Sequence, residues 1–175
     1  MIKYYILILL LALSIPSFSQ QLLFEDFQLY ENCPIWARVL SFQHDSLIMV
    51  TRDMNPFYLE ADFNGEGKPD IVLSIKNKET GKRGTLIIHA ESSQSFQIGA
   101  GDKFDSVGDD FNWLDVWSVY REKTAEKTLF NENMDIDGGE TIELKNIAIQ
   151  VSESEQSSNL IMWDGSKYIW IHTGE

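Results

Sequence analysis

The sequence predicts a mainly β fold: an antiparallel sandwich or curled sheet of short hairpins, with room for one short helix. Three observations predict it. The apolar pattern repeats every two residues in most segments, not every 3.6. Short β-branched runs are bounded by Gly, Asn and Asp clusters, as strands are. Heptads and Pro- or Ser-rich linkers are missing, so eight or nine strands must share one domain. An α+β fold with one packed helix is the alternative.

Taken in order, Trp36 to Phe42 and Leu47 to Thr51 read as strands flanking a turn at Gln43, His44, Asp45 and Ser46. Tyr58 to Phe63 alternates as a strand. Ile71-Val72-Leu73-Ser74-Ile75 and Thr85-Leu86-Ile87-Ile88-His89 read as buried strands, joined across a polar, Gly-containing loop at 76–84. Phe96-Gln97-Ile98 is a further strand, closed by Gly99-Ala100-Gly101. Residues 112–115 read as a turn or helical piece before a strand centred on Trp117. Thr141 to Val151 alternates as one strand, imperfectly at Asn146. Residues 159–163 and 167–172 surround Asp164-Gly165, a hairpin-turn signal.

The first 19 residues read as a secretory signal peptide. Lys3 is followed by an apolar run from Tyr4 to Ile15, then Pro16, with small residues Ser17 and Ser19 before Gln20. The run is too short for a bilayer, which takes about 20 apolar residues. The expected organisation is therefore a signal peptide at 1–19 and a single domain at 20–175, secreted or periplasmic and of bacterial type. The 175-residue chain carries a net charge of −13, and loss of Lys3 makes it one unit more negative. That sign opposes nucleic acid and anionic membrane surfaces and favours cations. Cys33 is the sole cysteine. It reads as a small buried hydrophobe, so a core, with help from a metal, must replace a disulfide framework.

Residues 62–70 carry the clearest chemistry. In Asp62-Phe63-Asn64-Gly65-Glu66-Gly67-Lys68-Pro69-Asp70, oxygen side chains fall at loop positions 1, 3, 5 and 9, with Gly at 6. Ca²⁺ takes six to eight oxygens at about 2.3–2.6 Å, and a tight loop aims alternate side chains inward. The expected ligands are Asp62, Asn64, Glu66, the Lys68 backbone carbonyl and Asp70, with the Lys68 ammonium turned outward. Leu73 stands where an EF-hand closes with Glu, and the flanks are strands, so the EF-hand itself is not matched. The alternative is a polar turn in which Asp62 and Asn64 cap local backbone.

The loop resembles the calcium loop of FG-GAP and VCBS repeats, D-x-[DN]-x-D-G-x-x-D followed by an apolar strand. Asp62, Asn64, Glu66, Gly67 and Asp70 carry the match, and Ile71-Val72-Leu73 is that strand. The resemblance implies an extracellular protein holding structural Ca²⁺ between strands. Two departures limit it: Glu66 replaces the usual Asp, and the motif occurs once, so a full propeller is not expected.

Asp102, Asp105, Asp109 and Asp110 form a second acidic stretch, either a solvated loop, a second cation site or an acid supply for a cleft. His44, His89 and His172 are scattered and read as structural or exposed. Trp113, Trp117, Trp163 and Trp170 suggest either a Trp-rich core or an aromatic binding platform, with Trp163 facing Trp170 across their hairpin. The expected function is a non-enzymatic calcium-binding β-domain that binds a protein or glycan, with no nucleic-acid partner and no membrane span. A small secreted hydrolase using the Asp102 to Asp110 loop, or a periplasmic inhibitor or immunity-type protein, is the runner-up.

Overall fold

A computed structural model describes residues 30–155 and 158–174. The predicted signal peptide lies outside the described residues. The fold belongs to the unit Cys33–Glu175. It contains one helix among the described residues, α1 (Ile35–His44), and eleven strands. These are β1 (Ile48–Val50), β2 (Tyr58–Ala61), β3 (Asp70–Asn77), β4 (Arg83–Ile88), β5 (Ser95–Gly99), β6 (Val116–Tyr120), β7 (Thr124–Phe130), β8 (Ile136–Glu143), β9 (Ala148–Ser152), β10 (Asn159–Trp163) and β11 (Tyr168–His172).

All strand pairs are antiparallel, and the sheets do not close into a barrel or propeller. The first sheet runs β1-β3-β4-β5, and β2 shares the β1 edge of β3. β1 lies opposite Ile75 to Asn77 and β2 opposite Asp70 to Leu73, so they line one edge end to end. The second sheet runs β11-β10-β9-β6, and β7-β8 is a separate two-stranded ribbon.

Alternation along β3 and β4 explains the layering. Val72 and Ile87 turn to one face, where they meet Trp117, Ile149, Val151, Ile161 and Tyr168 of the second sheet. Ile71, Leu73, Ile75, Leu86 and Ile88 turn to the other face, which is covered by Cys33, Trp36, Ala37 and Leu40. The outer face of the second sheet, with Ala148, Leu160, Met162 and Ile171, is covered by Ala125 and Ile142 of the ribbon. The protein is thus a β-sandwich with a helix on one outer face and a ribbon on the other. The central strands β3 and β4 are buried on both sides, which is why the runs at 71–75 and 85–89 are nearly continuous.

Three expected elements need correction. Residues 36–42 form α1, not a strand, and 43–46 lead out of it instead of turning a hairpin. Ala37 and Ser41 are buried one turn apart, and the His44 ring reaches Ser95 Oγ at 2.8 Å and Gln97 Oε1 at 3.1 Å on β5. The run Thr141 to Val151 is two strands, because Asn146 leaves the ladder and donates its Nδ2 to the Trp163 carbonyl at 2.9 Å. Trp163 pairs with Tyr168, and Trp170 with Ile161, so the two tryptophans share the inner face without standing opposite each other.

Candidate metal loop

Residues 62–70 connect β2 to β3. The loop folds onto its own backbone. Asp62 Oδ1 accepts from the Gly65 and Glu66 amides at 2.8 and 3.0 Å, and Oδ2 from the Gly67 amide at 2.8 Å. Asn64 Oδ1 accepts from the Glu66 amide at 3.0 Å. These bonds satisfy donors that the turn would otherwise leave without partners. Gly65 and Gly67 both take positive φ, 80° and 89°. A Cβ at Gly65 would also fall 2.5 Å from Asn146 Oδ1, so the loop rests against the β8–β9 connection.

Asp70 is fully buried at the start of β3. Its Oδ2 accepts from the Phe63 and Asn64 amides at 2.9 and 3.3 Å, and its Oδ1 from Ala90 at 3.0 Å. It therefore ties the loop to the end of β4. No basic side chain is among the groups acting on it. Burial pushes its carboxyl up to about 6, against the pull of those amides, and Glu66 adds to the rise. Glu66 turns toward the β4–β5 connection, where Oε1 accepts from the Glu91 amide at 2.7 Å. The Lys68 ammonium points away from the loop, 3.4 Å from Glu91 Oε2. Among the described residues, no three His, Cys, Asp or Glu side chains converge as a ready-made cluster. Asp62 and Asn64 cap amides within the loop, Asp70 bridges the loop backbone and Ala90, and Glu66 is engaged on the Glu91 amide.

Beside the loop lies a constellation the sequence reading missed. His89 is buried, with Nε2 2.8 Å from Tyr168 Oη, and its ring packs against Phe96 and Trp163 at centroid distances of 4.7 and 5.0 Å. Burial holds the imidazole below its usual range, opposed by Glu66 and Asp62. Burial likewise pushes the Tyr168 phenol upward. The only sequence clue was the alternation that puts Tyr168 and His89 on inward-facing positions.

The acidic stretch does not gather. Asp109 pairs with Lys82. Asp110 Oδ1 accepts from the Arg83 and Asn112 amides at 2.9 and 3.1 Å, while Asp102 and Asp105 are exposed. A second missed group is Asp53, which joins the Arg83 guanidinium at 2.9 Å, Ser74 Oγ at 3.2 Å and the Thr51 hydroxyl. Burial opposes its charge, yet those donors hold it below the usual carboxylate range.

Trp117 is a core residue, and Trp36, Trp113, Trp163 and Trp170 pack partly buried against the core. Trp117 is 2% exposed and donates Nε1 to the Pro56 carbonyl at 2.8 Å. Trp113 is half-buried against Phe111 and Trp170. The pair Trp113 and Trp117 therefore forms no exposed platform. His172 meets Trp170 Nε1 at 3.3 Å and the Phe130 ring at 5.1 Å. Cys33 is buried, and burial pushes its thiol up to about 11.

No family model matches the chain, and no curated protein or solved structure matches it. No helix among the described residues is long and apolar enough to cross a membrane.

Proposed function

We propose that this is a secreted or periplasmic, non-enzymatic β-domain that binds Ca²⁺ at residues 62–70 for stability and works as an interaction module. One observation carries the calcium reading. Asp70 is a buried carboxylate with no cationic partner among the described residues, at the end of a loop that also holds Asp62 and Glu66. Buried charges ordinarily sit opposite a counter-charge or a metal. Asp62, Asn64, Glu66, the Lys68 carbonyl and Asp70 would hold the ion, with Glu66 released from the Glu91 amide. The ion would neutralise crowded oxygens and clamp β2 to β3. Export supports the reading, because extracellular modules work at Kd values of roughly 10⁻⁴–10⁻³ M. The interaction role rests on the resemblance and on the separate structural partners of Asp109 and Asp110, which give the hydrolase alternative no paired acids.

The test is the melting temperature in EDTA and in 10 mM CaCl₂. At the Kd range above, bound calcium adds about 1.4–2.7 kcal/mol, a rise of roughly 3–10 °C for a protein of this size. Asp62→Ala should abolish the rise. No rise in the wild type, or an equal rise in Asp62→Ala, overturns the calcium reading.

A further inference from the structure

We propose that the outer edge of β8 docks an extended, basic polypeptide segment as an added strand. The inference deepens the interaction reading and rests on it.

β8 pairs with β7 alone among the described residues, and seven of its eight residues are exposed. The Leu144 amide donates to the Lys123 carbonyl at 2.8 Å, which fixes the phase of the ladder. In the same register, Ala125 with Ile142 and Lys127 with Glu140 are the hydrogen-bonded pairs. Gly139, Thr141 and Glu143 therefore aim their N–H and C=O groups away from β7. Natural edges of this kind are usually blunted by Lys, Pro or a covering element. Residues 136–143 contain neither Lys nor Pro. The ladder is irregular opposite Thr128 to Phe130, which leaves Gly139 to Glu143 regular, and the carboxylates that guard this stretch repel acidic strands but not basic ones.

Charge selects the occupant. Residues 122–143 hold seven carboxylates and two lysines. A second copy is disfavoured: antiparallel self-pairing centred on Glu140 would set Asp137 against Glu143 twice, while each Glu140 stays paired with its own Lys127 at 3.1 Å. Like charges directly opposed destabilise a pair. A basic strand reverses that sign at each position. The edge also has a place for a long side chain. A cavity of about 210 Å³ is lined by Glu126, Lys127, Thr128, Ile136, Gly138 and Thr173, among others, and the Lys127 ammonium is held by Glu140 at 3.1 Å. It is open at Gly138, where an added Cβ would meet nothing within 4 Å. A Lys or Arg entering there would meet the Glu126 carboxylate. Phe130, Met134 and Ile136, 40, 72 and 56% exposed, supply apolar contact at the ribbon's end. Strand addition draws affinity from backbone bonds and specificity from such alternating side-chain sites.

The test uses the full chain and three labelled 12-residue peptides: alternating Lys-Val, Lys-Pro and Glu-Val. Lys-Val should bind and protect the Gly139, Thr141 and Glu143 amides from hydrogen exchange, whereas the other two should not. Thr141→Pro removes an outward N–H without touching the ladder to β7, and should weaken Lys-Val binding at least tenfold. Should that variant lose the ribbon, Asp137→Lys with Glu143→Lys decides by the same tenfold criterion. Equal binding of Lys-Pro, or wild-type affinity in the deciding variant, overturns the proposal. Capture from an envelope fraction separates the two readings. Partners retained by Thr141→Pro as by wild type refute the β8 edge alone. No specific partner for wild type refutes the interaction role itself.

Discussion

Gly84→Ala should be among the most damaging single-methyl additions in this protein. Gly84 sits on β4 between Ile75 of β3 and Gly99 of β5. An added Cβ would lie 2.3 Å from the Ile98 carbonyl oxygen, 2.6 Å from the Ala100 nitrogen and 2.7 Å from the Gly99 carbonyl carbon. All three are backbone atoms, so no rotamer change relieves the clash. Ordinary contact begins near 3.4 Å, so β5 must retreat by about 1 Å, which is a small-to-large change of about 1–3 kcal/mol. The Arg83 carbonyl beside it accepts from both the Ala100 and Phe111 amides at 2.8 Å. Losing both bonds adds about 1–3 kcal/mol. The sum is roughly 2–6 kcal/mol, or on the order of 5–20 °C in melting temperature. Urea unfolding measures it, and hydrogen exchange at the Phe111 amide reports the local opening. A loss below about 1 kcal/mol with Phe111 still protected would refute the reasoning, since the β4–β5 approach would then be loose.

Two further predictions concern buried titratable groups. His89 is held neutral by burial, with its folded pKa below the unfolded 6.5. The unfolded chain therefore takes up the proton first, and this group's stabilisation is present above about pH 6.5 and lost as pH falls through the folded value. Asp70 acts in the opposite sense: its folded carboxyl near 6 binds a proton before the unfolded one at 3.8, so its contribution rises as pH falls from 6 toward 4. Subtracting His89→Gln from wild type isolates the histidine. The wild-type advantage in urea midpoint should shrink between pH 7.5 and 5, and a constant difference would refute the assignment. Cys33 is buried with its thiol pushed up to about 11. Its reaction with an aromatic disulfide at pH 8 should be slow in the native protein and fast in 6 M guanidinium; rapid native labelling would place it at the surface.

Much of the sandwich was legible because local chemistry and final packing agree. The runs at 71–75 and 85–89 are β-branched and end in turn residues, and Asn77 caps their hairpin through the Glu79 and Thr80 amides. Asp164 does the same for Ser166 and Lys167. The helix was hidden because its outer side also carries Ile35, Val39 and Phe42, 69, 48 and 77% exposed, so the polar half of the 3.6 period is missing. β7 was overlooked for the opposite reason: Thr124, Glu126 and Lys127 face solvent or half-buried ground, and its partner is the exposed β8. In the loop at 62–70 the backbone capping by Asp62 and Asn64 was legible as the alternative to a metal site. The sequence did not reveal that Asp70 ties down the Ala90 amide or that Glu66 reaches Glu91, because both depend on where the β4–β5 connection lies. The Asp53 group was invisible for a similar reason, since Arg83 meets it only across the first sheet.

The pairing of β6 with β9 has an evolutionary consequence. Tyr120 lies directly opposite Ala148, so the sheet closes there as a hairpin would, and residues 121–147 leave and return at one point. Such an excursion has two surfaces under different selection. Ala125 and Ile142 roof the outer face of the second sheet and are constrained by it. Among the described residues, the far edge pairs with no strand of the scaffold. Substitutions there can accumulate in a lineage without eroding the sandwich.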